Sequence, residues 1–159
     1  MNDIDGSLGE ARAHTEGECL IVSTGCVRRV WKWTGTGFAT QAFVDLRSGR
    51  SWAGEGTGCD WQLPDVREAP EAELRGLAAS VQDDEGFTDA HVAVTAEIAY
   101  PAAGIALRWT VWAYPGAPGI RTQLAARAIG ATPASPTART QGSPPDARVD
   151  RLPVREMSR

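Results

Sequence analysis

Between His91 and Ala113 the chain alternates side chains with a period of two, and nothing else in the sequence constrains its fold as strongly. Val92, Val94, Ala96, Ile98 and Tyr100 alternate with His91, Ala93, Thr95, Glu97 and Ala99, and Ile105, Leu107, Trp109, Val111 and Ala113 repeat the pattern. Successive side chains of an extended strand point to opposite faces, so each apolar set lines one face of a sheet. Between the two runs, Pro101 to Gly104 has the composition of a turn. An antiparallel hairpin is expected over these residues.

Similar signals precede and follow it. Leu20, Ile21 and Val22 form a short apolar run, closed by Ser23-Thr24-Gly25. Val27 to Thr34 is rich in β-branched and aromatic residues, with Arg29, Trp31 and Trp33 on one strand face and Arg28, Val30 and Lys32 on the other. Gly35-Thr36-Gly37 suits a hairpin turn into a strand over Phe38 to Asp45, and Ser48-Gly49 makes the next turn before Trp52. Pro115-Gly116-Ala117-Pro118 breaks the ladder, because proline has no N–H to donate, and Ile120, Thr122, Leu124 and Ala126 open a further strand. Strands separated by Gly/Pro turns without intervening helices predict an all-β fold, an antiparallel β-sandwich. The stretch Glu68 to Val81 stays open between a short helix, from the spacing of Leu74, Leu77 and Val81, and an extended segment, because Gly76 disfavours the helix.

At 159 residues the chain suits one domain with a true core. Residues 1–18 carry no apolar pattern and read as a flexible leader ahead of a sandwich domain at 19–129. Residues 130–147, dominated by Ala, Pro, Ser, Thr and Gly, have little to bury against their ordering entropy and read as a linker or disordered segment. Residues 148–159 regain a faint strand character and read as the cut-off start of a further strand, so the sandwich is expected to be incomplete, with a disordered C-terminal tail.

A net charge of −4 argues against nucleic acid as a partner, since phosphates are met by basic surfaces. No run reaches the roughly 20 apolar residues of a membrane helix. Met1 to Glu18 lacks the basic-then-apolar order of a signal peptide, so the expected location is the cytoplasm by default, or outside it if an export signal has been removed. Cys19, Cys26 and Cys59 leave at least one thiol unpaired in a monomer, and reduced thiols are expected ahead of a disulfide.

Catalytic chemistry is hard to place. There is no Cys-x-x-Cys, and His14 and His91 lie far apart, so no metal site is expected. No Gly-x-Ser-x-Gly elbow offers a nucleophile, and His91 reads as a half-exposed strand residue. Gly54-Glu55-Gly56-Thr57-Gly58 lacks the Gly-Lys-Ser/Thr ending of a phosphate loop. Asp83, Asp84 and Glu85 are adjacent beside Gly86, the pattern of a solvated turn rather than of two carboxylates flanking a cleft. No catalytic residue and no cofactor are assigned. One binding hypothesis stands: Trp52, Asp60 and Trp61 bracket the glycine-rich stretch, and sugars are held by aromatic faces and by carboxylates that accept hydroxyl hydrogen bonds. The plainer alternative is that both tryptophans cap the core.

Two stretches carry a family resemblance. Arg29-Val-Trp-Lys-Trp-Thr-Gly-Thr-Gly-Phe-Ala-Thr-Gln-Ala-Phe-Val-Asp-Leu-Arg-Ser-Gly-Arg-Ser-Trp52 resembles the opening of the N-terminal β-supersandwich domain of α-galactosidase-like (melibiase-type) glycoside hydrolases. An Arg-x-Trp strand there leads into a Thr-containing strand, an Asp-x-x-x-Gly turn and another aromatic. Leu107-Arg-Trp-Thr-Val-Trp-Ala-Tyr-Pro-Gly-Ala-Pro-Gly-Ile-Arg121 is similar to the strand that ends in a Tyr-Pro turn before an Ile-Arg strand. The resemblance covers residues 19–128, and Arg148 to Val154 looks like the strand that comes next.

The resemblance implies a supersandwich-like fold in a carbohydrate-hydrolase setting. In that family the paired catalytic aspartates lie on a following (β/α)8 barrel of about 250 residues, for which this sequence has no room. The expectation is a non-catalytic accessory domain, inactive alone, whose partners are such a barrel and carbohydrate, with a loop lent to sugar binding. A free-standing carbohydrate-binding module and a β-sandwich protein-interaction domain are the alternatives.

Overall fold

A computed structural model of the chain describes residues 1–54, 58–63, 71–83 and 89–129. The expected linker at 130–147 and the further strand at 148–159 lie outside the described residues, as do Glu55, Gly56, Thr57, residues 68–70, Asp84, Glu85 and Gly86.

The described residues form two antiparallel sheets. The first runs β1 (Asp5–Leu8), β2 (Ala11–Glu16), β3 (Cys19–Ser23), β4 (Val27–Trp33), β5 (Phe38–Asp45) and β6 (Ser51–Ala53), each strand paired with the next. The second has the order β10-β9-β8-β7, built from β7 (Glu73–Gln82), β8 (His91–Tyr100), β9 (Ile105–Ala113) and β10 (Arg121–Ala128). The expected hairpin is β8–β9, and its pairing of Val94 with Val111 and Ile98 with Leu107 keeps the apolar set on one face. Pro101–Ala103 form a 3-10 turn, which Gly104 closes at φ 64 in the left-handed region where glycine is favoured. Among the described residues no helix is long and apolar enough to cross a membrane.

The core lies between the inner faces. Trp109 of β9 collects three rings from across the gap: Trp31 edge-on at 5.1 Å, Phe38 stacked at 4.9 Å, and Trp61 tilted at 5.7 Å. Along β1 and β2 the inner residues are Leu8 and the small Gly6, Ala11 and Ala13, and at Gly6 the sheets come close: a Cβ there would lie 3.0 Å from Ala79 Cβ. Side-chain size therefore sets the gap, narrow at β1 and β7 and filled by indoles at β4 and β9. Toward β6 and β10 the faces are uncovered: seven of the eight β10 residues are exposed, as is Trp52.

Three expectations need correction or completion. Residues 1–18 are not a flexible leader, because β1 and β2 extend the first sheet and bury Ala11 and Ala13 completely. Alanines and a glycine bury little area each, which hides these strands from a hydrophobicity pattern, while the backbone ladder to β3 satisfies their polar groups. The open choice over Glu68 to Val81 resolves for residues 73–82 as strand β7, with Leu77 in the core and the register shifting between Leu74 and Gly76. His91 is fully buried rather than half-exposed. Its ring lies 4.6 Å from that of Tyr114, and the turn after Tyr114 is folded back by the bonds Gly116 N–H to Thr24 O (2.7 Å) and Thr24 Oγ1 to Ala117 O (2.6 Å). Cys19, Cys26 and Cys59 are free thiols.

Candidate functional site

The described residues between β6 and β7 hydrogen-bond to the edge of β5 that the short β6 leaves free and to the turn before it. Gly54 N–H donates to Gln41 O (2.9 Å), Asp60 N–H to Phe38 O (2.9 Å) and Ala72 N–H to Gly35 O (2.7 Å). This path brings Asp60 and Trp61 back over the first sheet, and it needs a glycine at 37. Gly37 has φ 152, and a Cβ there would lie 2.6 Å from Cys59 Cβ and 2.9 Å from Trp61 Cζ2.

Asp60 is the hub of a polar network at the end of the core. Its Oδ1 accepts from Thr40 N–H at 2.8 Å, and its Oδ2 accepts from Thr40 Oγ1 at 2.6 Å, Arg29 Nη2 at 2.8 Å and Trp31 Nε1 at 2.8 Å. Arg29 also donates from Nε and Nη2 to Thr40 Oγ1, and its guanidinium lies 4.6 Å above the Trp31 ring. The side chains of Arg29 and Asp60 are 27% and 25% exposed. Burial pulls the Arg29 guanidinium below its ordinary pKa, while the charge and hydrogen bond of Asp60 pull it back up.

Trp61 belongs to the core, at 8% exposed. Its Nε1–H donates to Tyr100 Oη at 2.9 Å, and Tyr100 Oη–H donates to Thr36 O at 2.7 Å. Burial pushes the Tyr100 hydroxyl up to about 12. Burial likewise raises the Cys59 thiol, which donates to Trp61 O.

Trp52 is different. It stands on β6 at 48% exposed, against Phe43 at a ring separation of 6.0 Å. Register places it in a cross-strand row: Arg29 pairs with Phe43, and Phe43 with Trp52. Paired residues share a face, so this row continues the inner face of the first sheet past the last covering strand. On the opposite face of the same strands runs a second row, Ile21, Val30, Ala42 and Ala53, apolar and turned away from the core.

The three residues singled out from sequence are thus separated by environment. Trp61 is committed to packing, Asp60, with its side chain 25% exposed, to holding the crossover on β4 and β5, and Trp52 is the aromatic open to solvent. Arg29 and Phe43, which the sequence does not single out, share the row with Trp52, and the alternation of β4 places Arg29 on the face of Trp31. The remaining tryptophans are covered: Trp31 and Trp109 are buried, Trp33 packs edge-on to Phe38 at 5.3 Å, and Trp112 lies under the Arg121 guanidinium at 4.7 Å. Among the described residues no group of three or more His, Cys, Asp or Glu side chains gathers to hold a metal ion. A cavity of about 150 Å³ between Met1, Asn2, Trp33, Leu74, Gly76 and Leu77 offers one polar side chain, that of Asn2.

The geometry defines an all-β protein of two stacked antiparallel sheets, with an open side bearing an aromatic–arginine row. Comparison of the chain with protein-family models, curated proteins and solved structures finds no match.

Proposed function

We propose that the chain is an accessory β-sandwich of an α-galactosidase-like glycoside hydrolase, packing on a (β/α)8 barrel that carries the catalytic carboxylates. The observation that carries this reading is the apolar row Ile21, Val30, Ala42 and Ala53 on the outer face of the first sheet. The solvent face of an antiparallel sheet is ordinarily polar. A row of four apolar residues across it is the kind of surface that a second domain covers. It ends on β6, the edge strand of the first sheet. The motifs over Arg29 to Trp52 and Leu107 to Arg121 supply the family. A free-standing carbohydrate-binding module draws less support, because a platform needs several aligned open tryptophans and Trp52 stands alone among those described.

The test is co-expression with the product of the reading frame immediately downstream. A barrel that co-elutes with the chain, and whose complex is lost in Val30→Glu, supports the reading. A downstream frame without a barrel, two separately eluting folded proteins, or nitrophenyl α-galactoside turnover by the repurified chain alone overturns it.

A further inference from the structure

We propose that Trp52, Phe43 and Arg29 form a subsite for a neutral pyranoside, whose C–H face stacks on the Trp52 indole against the tilted ring of Phe43 while a hydroxyl accepts a hydrogen bond from Arg29 Nη1. The proposal rests on the glycoside-hydrolase reading above and names the contact residues and ligand class that reading leaves open.

Two features of the row point to a ligand. An indole that is 48% exposed forgoes much of its burial energy, yet Trp52 is held by Phe43 rather than left loose at a chain end. Arg29 is fixed before any ligand arrives. Trp31 supports its plane, and Nε and Nη2 are engaged by Thr40 and Asp60, while Nη1 makes no hydrogen bond to a described residue. A donor already locked in place binds without a further loss of side-chain freedom. Two strand spacings, about 9–10 Å, separate Arg29 from Trp52 across the row, with Phe43 between them. That leaves a strip of aromatic surface leading to a donor.

The charge balance selects the ligand class. Asp60 already neutralises Arg29, so an anion gains no unpaired positive charge, whereas a hydroxyl needs only the spare N–H. Oδ2 of Asp60 is taken by three donors, which leaves the recognition of hydroxyls chiefly to the arginine.

The experiment titrates the purified full chain with methyl α-D-galactopyranoside, methyl α-D-glucopyranoside and galacturonic acid, followed by tryptophan emission and by the ring-proton shifts of the sugar. Saturable binding of a neutral glycoside ahead of the acid is expected. Trp52→Ala should weaken it at least about tenfold with the thermal midpoint little changed. Trp52→Phe and Arg29→Lys, which keep packing and charge balance, should each weaken it severalfold. No saturable binding of any of the three, preference for the acid, or binding untouched in Trp52→Ala and Trp52→Phe overturns the subsite. A chain that captures its barrel but no sugar loses this proposal and keeps the accessory reading, and the reverse result does the opposite.

Discussion

The indole N–H of Trp31 donates a 2.8 Å hydrogen bond to the carboxylate of Asp60, which ties the centre of the core to the one connection between the two sheets. Trp31 cannot be buried without a partner for that N–H, and Asp60 arrives from 29 residues away to supply it. The same carboxylate neutralises Arg29 and caps Thr40, so one side chain satisfies four donors.

Removing that carboxylate is therefore costly. Asp60→Ala leaves a largely buried guanidinium, an indole N–H and two Thr40 donors without an acceptor, and breaking a buried pair from one side costs about 3–5 kcal/mol. Partial exposure of the pair puts the expected loss near the lower figure, about 3 kcal/mol, read from urea unfolding. Asp60→Asn, which keeps the shape and one acceptor, should lose less. Equal stability of Asp60→Ala and the parent chain would contradict the network.

The two tryptophans on either side of the glycine-rich stretch should behave oppositely. Trp61→Ala empties a buried indole site and removes the donor to Tyr100 Oη, for an expected loss of about 3–5 kcal/mol. Trp52→Ala removes a half-exposed ring and should cost about 1 kcal/mol or less. Paired denaturant curves decide the matter.

Alkaline pH should unfold the chain through Tyr100. The neutral hydroxyl is the form the fold prefers, with a folded value of about 12 against 10.0 for the free side chain. Its contribution is fully present below about pH 10 and is lost as pH rises toward 12, in all about 2–3 kcal/mol. Tyr100→Phe should be less stable at neutral pH, where it lacks the bonds to Trp61 and Thr36, and should show a flatter decline above pH 10. A parent chain with level stability from pH 9 to 12 would refute this.

At the other end of the scale, Asp45 sits in the turn before β6. Its carboxyl is held below the ordinary carboxylate range first by Ser48 Oγ–H, then by the N–H groups of Arg47 and Ser48. The stabilising contacts are present above the unfolded value and are lost as pH falls through the depressed folded one. Ser48→Ala should move the Asp45 carbon resonance titration upward, toward the ordinary value.

Gly37→Ala tests the close approach of the crossover. A methyl group meets Cys59 and Trp61 at distances that real Cβ atoms do not show, on a backbone conformation unfavourable to alanine. The expected penalty is about 1–3 kcal/mol from the backbone alone. By contrast Gly35→Ala, whose Cβ would meet nothing within 4 Å, isolates the conformational part.

Strands whose alternating residues are large were legible in the sequence, and those built from small ones were not. Val92 to Val111 announced β8 and β9 because all inward positions but Ala96 are bulky, whereas Ala11, Ala13 and Gly6 carry the same period without contrast in size. The close approach at Gly6 depends on where Ala79 lies, a fact about the other sheet. His91 misled for a related reason: its side chain is polar by type, but the ring of Tyr114 covers it. At the site, Trp52, Asp60 and Trp61 were found by composition, but their different environments follow from the path of the crossover, which no local pattern records. Arg29 shows the limit from the other side. Its position on the tryptophan face was read correctly, and only the register with Phe43 and Trp52 turned that position into a row.

Every described strand pairs with its neighbour in sequence, apart from the single passage between β6 and β7. Each sheet can consequently zip up from adjoining hairpins, with short loops to close, before the other exists. The expected slow event is then the docking of two preformed halves, at which Asp60 reaches Arg29 and Trp61 packs on Trp109. Substitutions in that passage should chiefly hasten unfolding, whereas weakening a hairpin such as β8–β9 should chiefly retard folding.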